Sequence, residues 1–336
     1  MLLVERPRKR KTVSFGCNAL ALPRMISSTS RLIDTSRGDF KRTHLAEVYK
    51  FKNDLNVCKA KDMNMTEGSA VESGMPAWRM LKFGVNDAFT NMAIDEAVVT
   101  ARIEGFVPNT LRFYQWNPSA VSVGRFQNAF NEVHVENCRQ QGVGIVRRIT
   151  GGGTVYHDSR GEITYSVVVR EEDLGTQDVY AAYNTICNGL IEAARILGIS
   201  ADFNPGDPKN CPNIAINEKK ISGSAQFHKG GVLLQHGTFL LDLDFDKMFT
   251  FLRVPWAKTV PDVVCVAREK LTSIKHERAR PVTVEEAHQA LMRGFGKALN
   301  KEFKKEETMT TQEQKLTEKL RMEKYTNNNW NLKGKF

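Results

Sequence analysis

The chain has 336 residues, 48 Lys+Arg against 38 Asp+Glu for a formal net charge of +10, and is 41% hydrophobic and 26% charged. That length suits one large domain or two ordinary ones, and the globular composition excludes a fully disordered or fibrous chain. No apolar run approaches the roughly 18 residues of a membrane-spanning helix, and the six cysteines (Cys17, Cys58, Cys138, Cys187, Cys211, Cys265) form no C-x-x-C pair, which excludes a disulfide scaffold and a zinc spacing.

The charge is unevenly placed. Residues 1–75 hold 14 Lys+Arg against 8 Asp+Glu, so most of the excess sits in under a quarter of the chain. Arg6, Arg8, Lys9, Arg10 and Lys11 have the composition of a phosphate contact, or of a solvated tail. Up to Arg37 the stretch is Arg- and Ser-rich and poor in acids, like a mitochondrial transit peptide, and Met75 stands as an alternative start just before the first organised segment. The expected plan is a basic disordered extension over 1–75, a catalytic domain over 76–280 and C-terminal helices over 281–336 packed on it. Reduced thiols point to the cytoplasm, or to the mitochondrion if the extension is a transit peptide.

From Trp78 onward the texture is organised. Asn86 to Glu104 places Phe89, Ala93, Ala97 and Ala101 at helical spacing and stops at Gly105. Leu111–Trp116 and Ala120–Gly124 read as two short strands joined by a turn at Asn117-Pro118. A polar segment with Glu132, His134 and Cys138 predicts a short helix, and Val143–Arg147 a strand. After Gly151-Gly152-Gly153, Glu162–Arg170 reads as a strand, and Gln177–Leu197 as a helix closed by Gly198. Asn213–Ile216, Lys220–Ala225 and Val232–Asp242 read as further strands. Thr283 and Glu286 make a capping box ahead of a helix through Leu299, and Gln312 to Lys324 predicts a last, charged helix. Hairpin-length links outnumber βαβ crossovers, so the expected class is α+β with a largely antiparallel sheet.

Three stretches carry chemistry. In Arg147-Arg148-Ile-Thr-Gly151-Gly152-Gly153-Thr154-Val-Tyr-His157-Asp158, glycines let backbone N–H groups approach an anion, and adjacent arginines supply permanent charge and bidentate donors. It is neither a Walker A loop nor a dinucleotide fingerprint, and a plain glycine hairpin has the same appearance. Lys219-Lys220-Ile-Ser-Gly223-Ser224-Ala225 places a lysine before small residues, so a ligand could lie on the backbone under an ammonium. Leu234-Gln235-His236-Gly237-Thr238 contributes a histidine. Taken alone, the residues lead to an anion-binding α+β enzyme acting on a nucleotide or acyl phosphate.

In this order the three stretches resemble the lipoate–protein ligase A family, with R-R-x-x-G-G-G-x-V-x-H-D, then a lysine before G-S-A, then H-G-T. The helix containing Asn91-Met92-Ala93-Ile94-Asp95-Glu96-Ala97 and the run Val123-Gly124-Arg125-Phe126-Gln127 are similar as well. The resemblance spans Trp78 to Phe336 and implies a biotin/lipoate-ligase-like fold: a mixed, mostly antiparallel sheet with helices packed on one side. It implies a short form without the family's C-terminal accessory domain, which some short forms replace with a separate accessory subunit. The implied reaction uses ATP, with Mg2+, to activate lipoate as lipoyl-adenylate, then passes the lipoyl group to a lysine of a lipoyl carrier domain, of the 2-oxoacid dehydrogenase or glycine-cleavage H-protein type. By the same resemblance Lys220 is catalytic, and Arg148, Gly151, Gly152, Gly153, Thr154, His157, Asp158, Gly223, Ser224, Ala225 and His236 bind lipoate and ATP. No metal ligand is assigned.

Two positions depart from the pattern: Asn213 stands where many ligases have the Asp of an Asn-Asp pair, and Glu218 replaces the usual Gly before the lysine pair. Octanoyltransferases share the fold and move octanoate from an acyl carrier protein through a cysteine thioester. Cys211, nine residues before Lys220, lies in the loop where that family carries its nucleophile, and is the alternative catalytic residue. The ligase is the main expectation because Pro212 to Lys220 fits the ligase loop length without a gap. Nucleic-acid binding through the basic tail is the remaining reading, and the distribution of charge argues against it.

Overall fold

A computed structural model describes residues 77–176, 178–206 and 211–336. The expectations for residues 1–75 therefore lie outside the described residues.

The described chain opens with a strand that the sequence reading missed, β1 (Trp78–Asn86), and Asp87 then starts helix α1 (Ala88–Ile103) by accepting from Thr90 N at 2.7 Å. There follow β2 (Asn109–Trp116), β3 (Ala120–Val123), two short helices α2 (Ala129–Glu132) and α3 (Val135–Gln140), then β4 (Gly144–Arg147), β5 (Val155–His157) and β6 (Glu162–Arg170). Helix α4 (Val179–Ile196), capped by Asp178, leads to β7 (Asp202–Asn204), β8 (Asn213–Ile216), β9 (Lys219–Lys229) and β10 (Val232–Leu240). The remainder is helical apart from a two-residue strand: α5 (Phe245–Phe251), α6 (Val260–Lys270), α7 (Ile274–Arg278), α8 (Val284–Ala298), β11 (Glu306–Glu307), α9 (Thr311–Leu320) and α10 (Asn328–Asn331).

The large sheet runs β11-β1-β2-β6-β10-β9-β8-β7 and the small one β4-β3-β5. β1 pairs in parallel with β11 and β2, and every other pair of the large sheet is antiparallel, the mixed and mostly antiparallel arrangement expected. Side chains alternate across a strand. Leu111, Phe113, Ile163, Tyr165 and Val167 therefore face a core shared with Ile186 and Leu190 of α4 and Leu291 and Phe295 of α8. Tyr114, Trp116, Val168, Val232 and Leu234 face the opposite way, against Met92, Ala93 and Val98 of α1. Helices thus cover both faces of the sheet rather than one.

Other expectations change in detail. β2 and β3 are not a hairpin: β2 lies in the large sheet and β3 in the small one, because the short link at Asn117-Pro118 turns the chain out of one sheet into the other. Thr283 accepts from Glu286 N at 3.0 Å, but the Glu286 carboxylate turns to Arg278, 2.8 Å away. The charged helix expected over Gln312 to Lys324 is α9, started by a complete Thr310/Glu313 capping box; its last turn widens to a π-turn over Arg321–Tyr325, and the short α10 follows it. Asn217 and Glu218, the turn between β8 and β9, have φ of 48° and 66°. This is the left-handed region where glycine costs least, which accounts for the glycine usual at the Glu218 position.

Candidate functional site

The small sheet brings β3, β5 and the glycine loop between β4 and β5 over the α1 face of the large sheet. Between them lies a narrow cavity of about 40 Å³. Met92, Tyr114, Trp116 and Val155 give it an apolar wall, and of the predicted residues Arg148, Gly152, His157, Gly223, Ser224, Ala225 and His236 line it. Gly151, Gly153, Thr154, Asp158, Lys220 and Cys211 do not.

The glycine loop is placed by close packing. A Cβ on Gly124 would lie 2.0 Å from Gly152 O, and Gly152 itself has φ of +86°, so each position demands glycine. Thr154 is buried beside the loop and donates to Gln127 Oε1 at 2.9 Å, which also accepts from Gly124 N at 3.0 Å.

Arg148 is the first correction. It is 5% exposed and all its N–H groups are taken by the protein: Nε by Thr150 Oγ1 (3.0 Å), Nη1 by Ser122 O (3.1 Å) and Ser122 Oγ (3.2 Å), and Nη2 by Gly151 O and Gly153 O (2.7 Å each). A guanidinium has five donors, so none is left for a ligand's carboxylate or phosphate. Burial pulls its pKa down to about 10, and the positive charge it lends the cavity is held by the loop carbonyls. Arg147 is the second. It is 1% exposed and reaches Trp330 O (2.9 Å) and Leu332 O (3.3 Å) in the C-terminal turn, and Gly124 O (2.9 Å), Arg125 O (3.1 Å) and Gln127 O (2.7 Å) in the loop after β3. The expectation that both arginines surround one anion fails because adjacent residues in extended chain point opposite ways.

Asp158 is a turn residue. Its carboxylate accepts from Arg160 N (2.9 Å), Gly161 N (3.2 Å), Tyr156 OH (3.1 Å) and Lys247 Nζ (3.0 Å), which places it outside the cavity. Asn213 is buried at the start of β8 and its Nδ2 donates to Cys211 O at 3.2 Å, tying down the backbone of that residue.

The two histidines sit in matching surroundings. His236 Nδ1 meets Asp95 Oδ2 at 2.9 Å and its Nε2 meets Thr150 Oγ1 at 2.8 Å. His157 Nδ1 meets Glu162 Oε1 at 2.8 Å and its Nε2 meets Ser122 Oγ at 2.8 Å, with its ring stacked on Trp116 at 4.0 Å. Asp95 also accepts from Arg112 Nη1 (2.8 Å) and Tyr114 OH (3.1 Å), and Glu162 from Thr164 Oγ1 (2.7 Å). Asp95, Ser122, Thr150 and Glu162 were missed as site residues. Asp95 stands within the helix motif that carried the family resemblance, and the other three have no signal of their own in the sequence.

Lys220 and Cys211 border the cavity at its glycine-lined wall. A Cβ on Gly223 would lie 3.1 Å from Lys220 Nζ, and one on Gly152 would lie 4.0 Å from Cys211 Sγ. Burial pulls the Lys220 pKa below that of a free lysine, and negative charge on Cys211 favours the cationic forms of both Lys220 and Arg148. The described free thiols therefore differ in kind. Burial pushes Cys138 up to about 12 and Cys187 up to about 11, and Cys265 is exposed on α6. Only Cys211, of these, is half-buried beside Lys220 and Arg148.

Residues 87–296 match the model of the lipoyl protein ligase A/B catalytic domain. The octanoyltransferase LipM of Brevibacillus brevis is 35% identical over 278 residues, 77% of this chain and 100% of that protein. The octanoyltransferase LipM of Kyrpidia tusciae is 38% identical over 277 residues with the same coverage. Among solved structures, a bipartite lipoate protein ligase from Thermoplasma acidophilum aligns with a TM-score of 0.67 at 30% identity, covering 78% of this chain and 98% of that one. A lipoate-protein ligase A bound with ATP aligns at 0.65 and 30%, covering 76% and 98%. Relatives at 34–38% identity over most of the chain are named octanoyltransferases, which overturns the main expectation of an ATP-dependent lipoate ligase in favour of the octanoyltransferase alternative. Among the described residues no helix is long and apolar enough to cross a membrane.

Proposed function

The chain belongs to the lipoyl protein ligase A/B catalytic-domain family, and from that premise we propose that it is an octanoyltransferase working through Cys211. The observation that carries the reading is the position of Cys211 Sγ against Gly152, at the edge of an apolar cavity and within the electrostatic reach of Lys220 and Arg148.

The reaction divides into two acyl transfers. The Cys211 thiolate attacks the carbonyl carbon of an octanoyl thioester on an acyl carrier protein. A new carbon–sulfur bond forms, the bond to the carrier sulfur breaks, and the carrier leaves as a thiol with the proton that Cys211 gave up. A lysine amine of a lipoyl carrier domain then attacks the Cys211 thioester. The amide forms, the Cys211 carbon–sulfur bond breaks, and the amine proton returns to the sulfur. Lys220 is suited to handle that proton, since its pKa lies below that of an ordinary lysine. Met92, Tyr114 and Trp116 hold the acyl chain away from water.

A thioester donor is already activated, so ATP, Mg2+ and free lipoate are not substrates in this route. A separate accessory subunit, expected for adenylate formation, has no step to perform. The acceptors are lipoyl carrier domains of the 2-oxoacid dehydrogenase or glycine-cleavage H-protein type. Incubation with octanoyl carrier protein and a lipoyl domain tests this: wild type forms the octanoyl-lysine amide, and Cys211→Ser forms none. Modification by Cys211→Ser at the wild-type rate contradicts the proposal.

A further inference from the structure

Two hydrogen-bonded chains from different parts of the fold meet on Arg148. One runs from Arg148 Nε through Thr150 Oγ1 (3.0 Å) and His236 Nε2 (2.8 Å) to Asp95, which accepts from His236 Nδ1 at 2.9 Å. The other runs from Arg148 Nη1 through Ser122 Oγ (3.2 Å) and His157 Nε2 (2.8 Å) to Glu162, which accepts from His157 Nδ1 at 2.8 Å. All seven residues are at most 6% exposed.

Their polarity follows from chemistry. An arginine only donates and a carboxylate only accepts, so each hydroxyl accepts from Arg148 and each imidazole donates its Nδ1–H to its carboxylate. The two chains have the same order, hydroxyl, imidazole, carboxylate, and connect one buried cation to two buried anions. The far ends are anchored: Asp95 by Arg112 and Tyr114, Glu162 by Thr164, and His157 by its stack on Trp116.

A planar guanidinium held at Nε alone, or at Nη1 alone, can pivot. Held at both edges it cannot, and its third corner, Nη2, is then aimed at Gly151 O and Gly153 O, 2.7 Å from each. Gly152 lies between those two carbonyls and beside Cys211 Sγ. We propose that Thr150–His236–Asp95 and Ser122–His157–Glu162 make Arg148 a positioning residue for acyl transfer, fixing the glycine-loop peptides against which the Cys211 thioester is presented. The proposal rests on the octanoyltransferase reading for its kinetic consequences and on geometry alone for its structural ones.

Thr150→Val keeps the side-chain volume and removes the link, and Thr150→Ser restores it. The expected result is a kcat for octanoyl transfer reduced roughly ten-fold or more in Thr150→Val, the scale of a misplaced reacting group, with KM little changed and near wild-type turnover in Thr150→Ser. In nitrogen-15 NMR the Arg148 Nε–H is protected from solvent exchange in wild type and Thr150→Ser and loses that protection in Thr150→Val. Ser122→Ala removes the Nη1 bond to Ser122 Oγ while that to Ser122 O remains, is expected to lower kcat in the same way, and serves if Thr150→Val does not fold. A wild-type kcat in both Thr150→Val and Ser122→Ala, or no recovery in Thr150→Ser, overturns the proposal. Should wild type transfer no octanoyl group, the function reading falls and the exchange measurement decides: protection lost in Thr150→Val upholds the positioning role, and protection retained overturns it.

Discussion

Arg147 and Arg148 are adjacent in the chain and share no hydrogen-bond partner. Arg147 clasps carbonyls of the C-terminal turn and of the loop after β3, while Arg148 clasps carbonyls of the glycine loop and two hydroxyls of the cavity wall. The two arms converge again through Gln127, whose backbone carbonyl is bound by Arg147 and whose side chain holds Thr154 beside the glycine loop. The arginine pair is internal scaffolding that shapes the glycine loop at the cavity wall.

Arg147→Gln strands several buried carbonyls at once. Unfolding by urea should show a loss of about 3 kcal/mol, the cost of leaving buried polar groups unsatisfied, with the environment of Trp330 altered because its carbonyl is one of the partners. Arg147→Lys should recover little, since a single ammonium cannot span five carbonyls.

A second remote link is the buried pair of Arg79 on β1 with Glu313 on α9, side chains 3% and 0% exposed, with Nη1 to Oε2 at 3.0 Å. Glu313 also completes the capping box with Thr310. Glu313→Ala leaves Arg79 buried without its partner, and should lower stability by about 3–5 kcal/mol, read as a shift in the denaturation midpoint. A change under 1 kcal/mol would show the pair to be unimportant.

Stability should fall on acidification, with His236 as one source. Burial, opposed by Asp95, leaves the His236 pKa below the free value of 6.5. Asp95 is raised by burial but lowered more by the His236 hydrogen bond and the Arg112 charge, and ends below the usual carboxylate range. Both groups bind protons more readily in the unfolded chain, so stability is complete above about pH 6.5, declines as pH drops below it, and declines further through the carboxylate range. Denaturation midpoints measured across pH should show that slope, and His236→Gln should flatten the part between about pH 6.5 and 5. An unchanged slope would assign the acid sensitivity elsewhere.

Much of this was legible in the sequence where the cause is local. β6, β8 and β10 follow from β-branched runs, and α1, α4 and α8 from apolar spacing and their caps. β1 was not legible, because Arg79 interrupts its pattern and is buried only by virtue of Glu313, more than two hundred residues later. The sheet assignments of β2 and β3 depend on which way a short link turns, and no residue type encodes that. At the site, the glycines and Lys220 stood out because their chemistry is in the residue itself. The roles of Arg147 and Arg148 did not, since their partners are mostly backbone carbonyls of other segments, which every residue carries. The ligase reading failed for a related reason: the length of the Cys211–Lys220 loop reports how the strands are joined, and not which group within it attacks.

Intact-protein mass spectrometry after mixing with octanoyl carrier protein, without acceptor or ATP, tests the central claim most directly. The account predicts one octanoyl group in thioester linkage on Cys211, absent in Cys211→Ser and discharged when a lipoyl domain is added. A protein that stays unmodified with octanoyl carrier protein, yet lipoylates the domain from free lipoate and ATP, would contradict it.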